Sequence, residues 1–130
     1  MKNYSERLLP KVNALIIIDI QEKIIKPIFK KDLLTKNIKK LISAYQILEE
    51  NIFISEQNPL KLGATIPELL PKGEFKKIEK MEFSLANRKE FLTELKNKKI
   101  TNLIVCGIET HICIQQTVID CLQIGFEVIL

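Results

Sequence analysis

The stretch Val105-Cys106-Gly107-Ile108-Glu109-Thr110-His111-Ile112-Cys113-Ile114-Gln115-Gln116-Thr117 places a thiol where it could become a nucleophile. The apolar residues before Gly107 read as a buried strand, and those from His111 onward as a helix. Cys113 then falls in the first helical turn, where free N–H groups and the positive end of the helix dipole favour thiolate over thiol. Such a thiolate could attack a carbonyl carbon if a proton acceptor and a charge partner stood beside it. Cys106, inside the strand, and Cys121, deep in the helix, read as packing residues, because a free cysteine usually behaves as a small buried hydrophobe.

Other residues compete for a chemical role. Asp19 ends the apolar run Ala14-Leu15-Ile16-Ile17-Ile18, so it either caps the following turn or serves as an acid or base at a strand end. His111 is the only histidine. Zinc usually takes three or four protein ligands, and the spacing His111-x-Cys113 puts the two side chains on different sides of a helix, so a partner or capping role suits His111 better than catalysis. By spacing alone Lys80 reads as a solvated surface lysine, and Ser84 as the cap of the next helix.

The elements that would position these residues alternate between strand and helix. Val12 to Ile20 reads as a strand, and its unbroken β-branched run signals burial on both faces, as in a parallel sheet covered by helices. Leu33 to Glu50 reads as an amphipathic helix with Leu34, Ile38, Leu41, Ile42, Tyr45 and Leu48 inward. Asn51 to Ser55 is a second strand. Pro59, Gly63 and Pro67 mark a loop with one helical turn at Ile66 to Leu70. Phe75 to Glu79 fits a short edge strand, Ser84 to Lys98 a helix with Phe91, Leu92 and Leu95 inward, and Leu103 to Cys106 a buried strand. His111 to Gln123 is a helix closed near Gly125, and Phe126 to Leu130 begins another strand. This order predicts a single α/β domain with a mostly parallel sheet and right-handed crossovers. Ligands in such sheets bind outside the carboxyl ends of the strands. Asp19, Ser55-Glu56-Gln57 and Gly107 to Cys113 are all expected at that edge.

Composition sets outer limits. The 130 residues, 46% hydrophobic and 28% charged, suit one soluble globular domain. The net charge of +4 comes from scattered lysines, with no tryptophan and little arginine. A solvated surface explains this better than a nucleic-acid footprint, which would cluster basic residues with aromatics. Three cysteines close together in sequence argue against a disulfide framework and for a reducing cytosol. Met1 to Lys11 lacks the apolar segment of a signal peptide, and Ala14 to Ile18 is too short to span a bilayer.

Four segments together resemble the isochorismatase-like cysteine hydrolases: Leu15 to Gln21 (LIIIDIQ), Ile54 to Gly63 with Thr65 to Leu69 (ISEQNPLKLG, TIPEL), Lys80 to Ser84 (KMEFS) and Val105 to Thr117 (VCGIETHICIQQT). The second is similar to the isochorismatase-domain-containing subgroup, and the last is the most specific. The resemblance runs in order along essentially the whole chain and implies a three-layer Rossmann-like fold. It implies that Cys113 is the nucleophile, Asp19 the general acid/base and Lys80 the third member of a triad. Backbone N–H groups of Glu109 and Cys113 would form the oxyanion hole, beside a cis peptide at Ile108–Glu109. Gln21 and Gln57 are expected to contact substrate. Lys80 and the helix dipole are expected to lower the thiol pKa.

The departures narrow this reading. Metal-binding nicotinamidases of the superfamily carry Asp-x-His and a further His after the second strand, whereas this chain has Ser55-Glu56-Gln57-Asn58, so no metal and no cofactor are expected. Relatives that cleave a vinyl ether lack the cysteine, so Cys113 points to an amide-like C–N bond in a small-molecule substrate. A cytoplasmic homo-oligomer, with no nucleic-acid or membrane partner, completes the expectation. Family members continue past the equivalent of Phe126 to Leu130, so the domain is expected to be incomplete at its C-terminal side, with a buried-type strand left as an edge. The competing reading is a truncated remnant that keeps the motifs without turnover.

Overall fold

Ala14 to Ile18 form the middle of the sheet, and every one of them is fully buried. In the computed structural model, which describes residues 12–130, strand β1 (Asn13–Ile18) pairs in parallel with β2 (Asn51–Gln57) on one side and β4 (Asn102–Gly107) on the other. β3 (Lys76–Lys80) adds beyond β2, and β5 (Glu127–Ile129) beyond β4. All pairings in this five-stranded sheet are parallel, in the order β3-β2-β1-β4-β5. The strand order therefore reverses between β1 and β4, the crevice where such sheets bind ligands.

Period-two alternation along β1 explains its unbroken hydrophobicity. Ala14, Ile16 and Ile18 join one core, with Phe53, Ile78, Phe91, Leu95, Leu103 and Val105. Leu15 and Ile17 join a second core, with Ile20, Ile38, Ile42, Ile52 and Ile54. The second core is covered by α2 (Lys31–Ile47), and the first by α4 (Lys89–Asn97) and α5 (Gln115–Ile124). Two short helices, α1 (Glu22–Ile25) and α3 (Pro59–Leu62), lie in the connections that leave β1 and β2. Leu48, expected inward, is exposed because α2 has already ended at Ile47.

The segment expected as one helix over Ser84 to Lys98 is divided. Ser84 Oγ accepts from Ala86 N and caps a single 3₁₀ turn, Leu85–Asn87, and Arg88 at φ −89°, ψ 110° separates it from α4. At the other end of the first core, Gly125 takes φ +109° and closes α5, a conformation in which glycine carries no Cβ penalty.

Gly107 is the second glycine with a fixed task. At φ +133°, a Cβ on it would run into the carbonyl oxygen of Ile18. Only glycine lets the end of β4 approach the end of β1, where Ile108 N donates to Ile18 O at 3.0 Å. Gly107→Ala is expected to destabilise the fold by about 2 kcal/mol or more in urea denaturation, because both the dihedral and the space oppose the methyl group.

Candidate active site

Strand alternation delivers a lysine into the interior. Ile78 of β3 packs in the first core, so Lys80, two residues on, enters the same face. The same rule sends Phe53, Ser55 and Gln57 of β2 to that face, and the β2–β3 register sets Gln57 opposite Lys80. Lys80 is only 1% exposed, which overturns the surface role that its spacing suggests. Asp19, also 1% exposed, sits one residue past β1 with φ +54°, a left-handed conformation that aspartate tolerates better than most residues.

The acid and the lysine form a closely bonded buried pair. Lys80 Nζ donates to Asp19 Oδ2 at 2.8 Å, to Gln57 Oε1 at 2.7 Å and to the Glu82 carbonyl at 3.3 Å. These three acceptors match the three protons of an ammonium. Ser55 Oγ donates to the other carboxylate oxygen, Asp19 Oδ1, at 2.7 Å. A charge pair this far from water holds only because both partners are hydrogen-bonded.

Cys113 meets this pair from the opposite side of the switch point. It lies in a π-helical turn, Thr110–Ile114, that leads into α5, and its thiol interacts with both the Asp19 carboxylate and the Lys80 ammonium. Burial, and then the Asp19 charge, push the thiol up to about 11, and Lys80 offsets them only in part. The expected lowering is thus reversed: removal from water and a neighbouring anion both disfavour the thiolate, and together they outweigh the ammonium. Cys106 and Cys121 are raised further, to about 12, with burial the leading cause. Iodoacetamide labelling of Cys113, followed by peptide mass, is therefore expected to be slow at pH 7 to 8 and to climb towards pH 11. Asp19→Asn removes one cause of the rise and keeps Lys80, so its profile should move to lower pH.

The two glutamines brace the site. Gln21 is fully buried, and its amide Nε2 donates to the carbonyls of Gln57 (2.9 Å) and Gly63 (2.7 Å), while Oε1 accepts from Gln57 N (2.7 Å). Both amide protons are thereby taken by backbone, which suits a latch between strand ends better than a substrate contact. Gln57 has its Oε1 on Lys80, and its Nε2 donates to the Met81 carbonyl at 2.8 Å. The peptide Ile108–Glu109 is cis, and the Glu109 carbonyl accepts from Ile112 N and Ile114 N, tying the π turn to the residue before it. The His111 side chain is largely exposed, with Nε2 3.9 Å from Glu109 Oε2.

Ser55 and Glu56 matter more than their positions at a strand end suggest. Glu56 Oε1 accepts from both Thr65 N and Thr65 Oγ1 at 2.8 Å, pinning the loop after α3 against the sheet. The available signal was the alternation itself: Ser55 and Gln57 are polar at positions that continue the inward face of Phe53. Among the described residues no group of three or more His, Cys, Asp or Glu side chains could hold a metal ion. A cavity of about 770 Å³ opens at the amino-terminal edge of the sheet, beside Tyr45, Glu50, Phe75 and Glu94, and is lined by neither Asp19, Lys80 nor Cys113.

A parallel α/β sheet with a thiol, a carboxylate and a buried ammonium at its strand-order switch point defines the class. Within it, the chain belongs to the isochorismatase family: the Isochorismatase domain model matches residues 13–130. It is 33% identical over 128 residues to isochorismatase family protein 1B of Dictyostelium discoideum, covering 94% of this chain and 62% of that protein. It is 34% identical over 117 residues to isochorismatase domain-containing protein 2 of Xenopus laevis, covering 89% of this chain and 56% of that one. Among solved structures, one described as MAR1 ribonuclease from Caenorhabditis elegans superposes with a TM-score of 0.84 at 34% identity, over 92% of this chain and 62% of that one. An isochorismatase from Pseudomonas putida gives 0.81 at 25% identity, over 90% and 66%. The chain thus spans less than two thirds of these relatives' lengths. No helix among the described residues is long and apolar enough to cross a membrane.

Proposed function

We propose that this chain is a small-molecule hydrolase that cleaves an amide-like C–N bond through a thioester on Cys113. The observation that carries the reading is the meeting of Cys113, Asp19 and Lys80 at one buried point. Because the resting thiol is held above the ordinary range, its proton leaves only as a substrate carbonyl arrives, and Asp19 receives it. Sulfur bonds to the carbonyl carbon, and the displaced electron pair forms an oxyanion facing the N–H groups of Glu109 and Cys113. The C–N bond then breaks, and the amine departs with the proton from Asp19. Water, giving its proton to Asp19, attacks the thioester. The C–S bond breaks, the acid is released, and Asp19 returns the proton to sulfur. Lys80, bonded to Asp19 and beside the sulfur, stabilises whichever of carboxylate or thiolate is present.

The test is turnover of a panel of small amides and ureido compounds by the purified chain, read by mass. Hydrolysis that requires Cys113 supports the reading. A cooperatively folding chain with no turnover on any member favours the non-catalytic remnant. Because the Caenorhabditis elegans relative is described as a ribonuclease, a short RNA belongs in the panel. Cleavage of RNA alone would replace the small-amide assignment.

A further inference from the structure

We propose that Ser55 is a positioning residue whose hydroxyl holds the Asp19 carboxylate and aims it at Cys113. This rests on the reading of Asp19 as the site's acid/base. Ser55 touches Asp19 twice: its Oγ donates to Oδ1 at 2.7 Å, and its carbonyl accepts from Asp19 N at 3.2 Å. It is fully buried, and in the β1–β2 register it stands opposite Ile18, the residue before Asp19. Asp19 has left the strand with φ +54°, so the direction of its carboxylate depends on the groups bonded to its two oxygens.

Besides Lys80, the side-chain donor facing Asp19 is the Cys113 thiol, weaker than the serine hydroxyl. Lys80 already divides its protons among Asp19 Oδ2, Gln57 Oε1 and the Glu82 carbonyl. The other titratable group facing Asp19 is Cys113, from the π turn. Glu56, next to Ser55 on β2, turns to the opposite face and is held by Thr65 and Lys77. A hydroxyl donating to a carboxylate favours its charged form, and deleting that donor in a water-excluded site favours the protonated form. A merely structural serine would affect stability without moving the protonation of Asp19.

The chain has only three aspartates, Asp19, Asp32 and Asp120, so carboxyl-¹³C labelling gives three signals that Asp19→Asn assigns. In Ser55→Ala the Asp19 signal is expected to titrate about one to two pH units higher than in the unsubstituted chain, the range of a charge-assisted hydrogen bond. Ser55→Thr, which keeps the hydroxyl, should stay within about half a unit, with Asp32 and Asp120 unmoved. If Ser55→Ala fails to fold, Ser55→Cys, a weaker donor of similar size, should shift the signal upward by less. An Asp19 midpoint that does not move in a folded Ser55→Ala or Ser55→Cys chain overturns the proposal. The readout uses no substrate and no thiol chemistry. A shift with no Cys113-dependent hydrolysis would therefore sink the hydrolase reading alone, and hydrolysis without a shift would sink only the role of Ser55.

Discussion

Cys113→Ala is expected to lower kcat/KM on any hydrolysed substrate by a factor of about 10³ or more, the usual scale for removing a covalent nucleophile. The chain should stay folded, since Lys80 keeps its bonds to Asp19, Gln57 and the Glu82 carbonyl without the thiol. Losing the small, largely buried side chain should cost on the order of 1 kcal/mol, well short of what unfolds a domain. Cys113→Ser should be equally inactive despite its similar shape. A hydroxyl is a weaker acid than a thiol, and the surroundings that push this thiol up to about 11 would disfavour an alkoxide more strongly. Kinetics on the first panel hit, with a urea melt of each variant, separate loss of chemistry from loss of fold. Activity retained in Cys113→Ala would refute the mechanism.

Lys80→Met is expected to be the most destabilising change in the site, costing about 3–5 kcal/mol, because it leaves a buried carboxylate without its cation. Asp19 is 1% exposed, and only the neutral donors Ser55 and Cys113 would remain as its side-chain partners. Asp19→Asn strands the ammonium in the same way. The double variant Asp19→Asn/Lys80→Met removes both charges and should recover most of the lost stability while remaining inactive. Urea midpoints for the four chains form the required cycle. Near-additive losses would mean that the two charges are not coupled as the 2.8 Å contact indicates.

Much of this site could be read before any coordinates, and the parts that could not have physical reasons. The run Ala14 to Ile18 announced a strand buried on both faces, and so placed Asp19 at the sheet's carboxyl edge. The strand-to-helix passage through Gly107 marked Cys113. Lys80 was harder, because β3 is a lysine-rich edge strand in which Ile78 alone signals the inward face. Its burial depends on acceptors contributed by β1, β2 and the Glu82 carbonyl, which are remote in sequence or belong to the backbone. The direction of the thiol shift was illegible for a similar reason. Helix position and a nearby lysine argue one way, while burial and the distance to a carboxylate, both tertiary quantities, decide the other. The bracing role of Gln21 was illegible as well, because the backbone groups of Gln57 and Gly63 that hold its amide lie 36 and 42 residues away.

The most direct measurement of the central claim is peptide mass mapping of the chain quenched in acid during turnover of a small amide. The predicted result is an acyl group of the substrate's mass on the peptide containing Cys113, absent from Cys113→Ala and removed on longer incubation. Hydrolysis that proceeds with Cys113 unmodified at every quench time, and at an undiminished rate in Cys113→Ala, would contradict it.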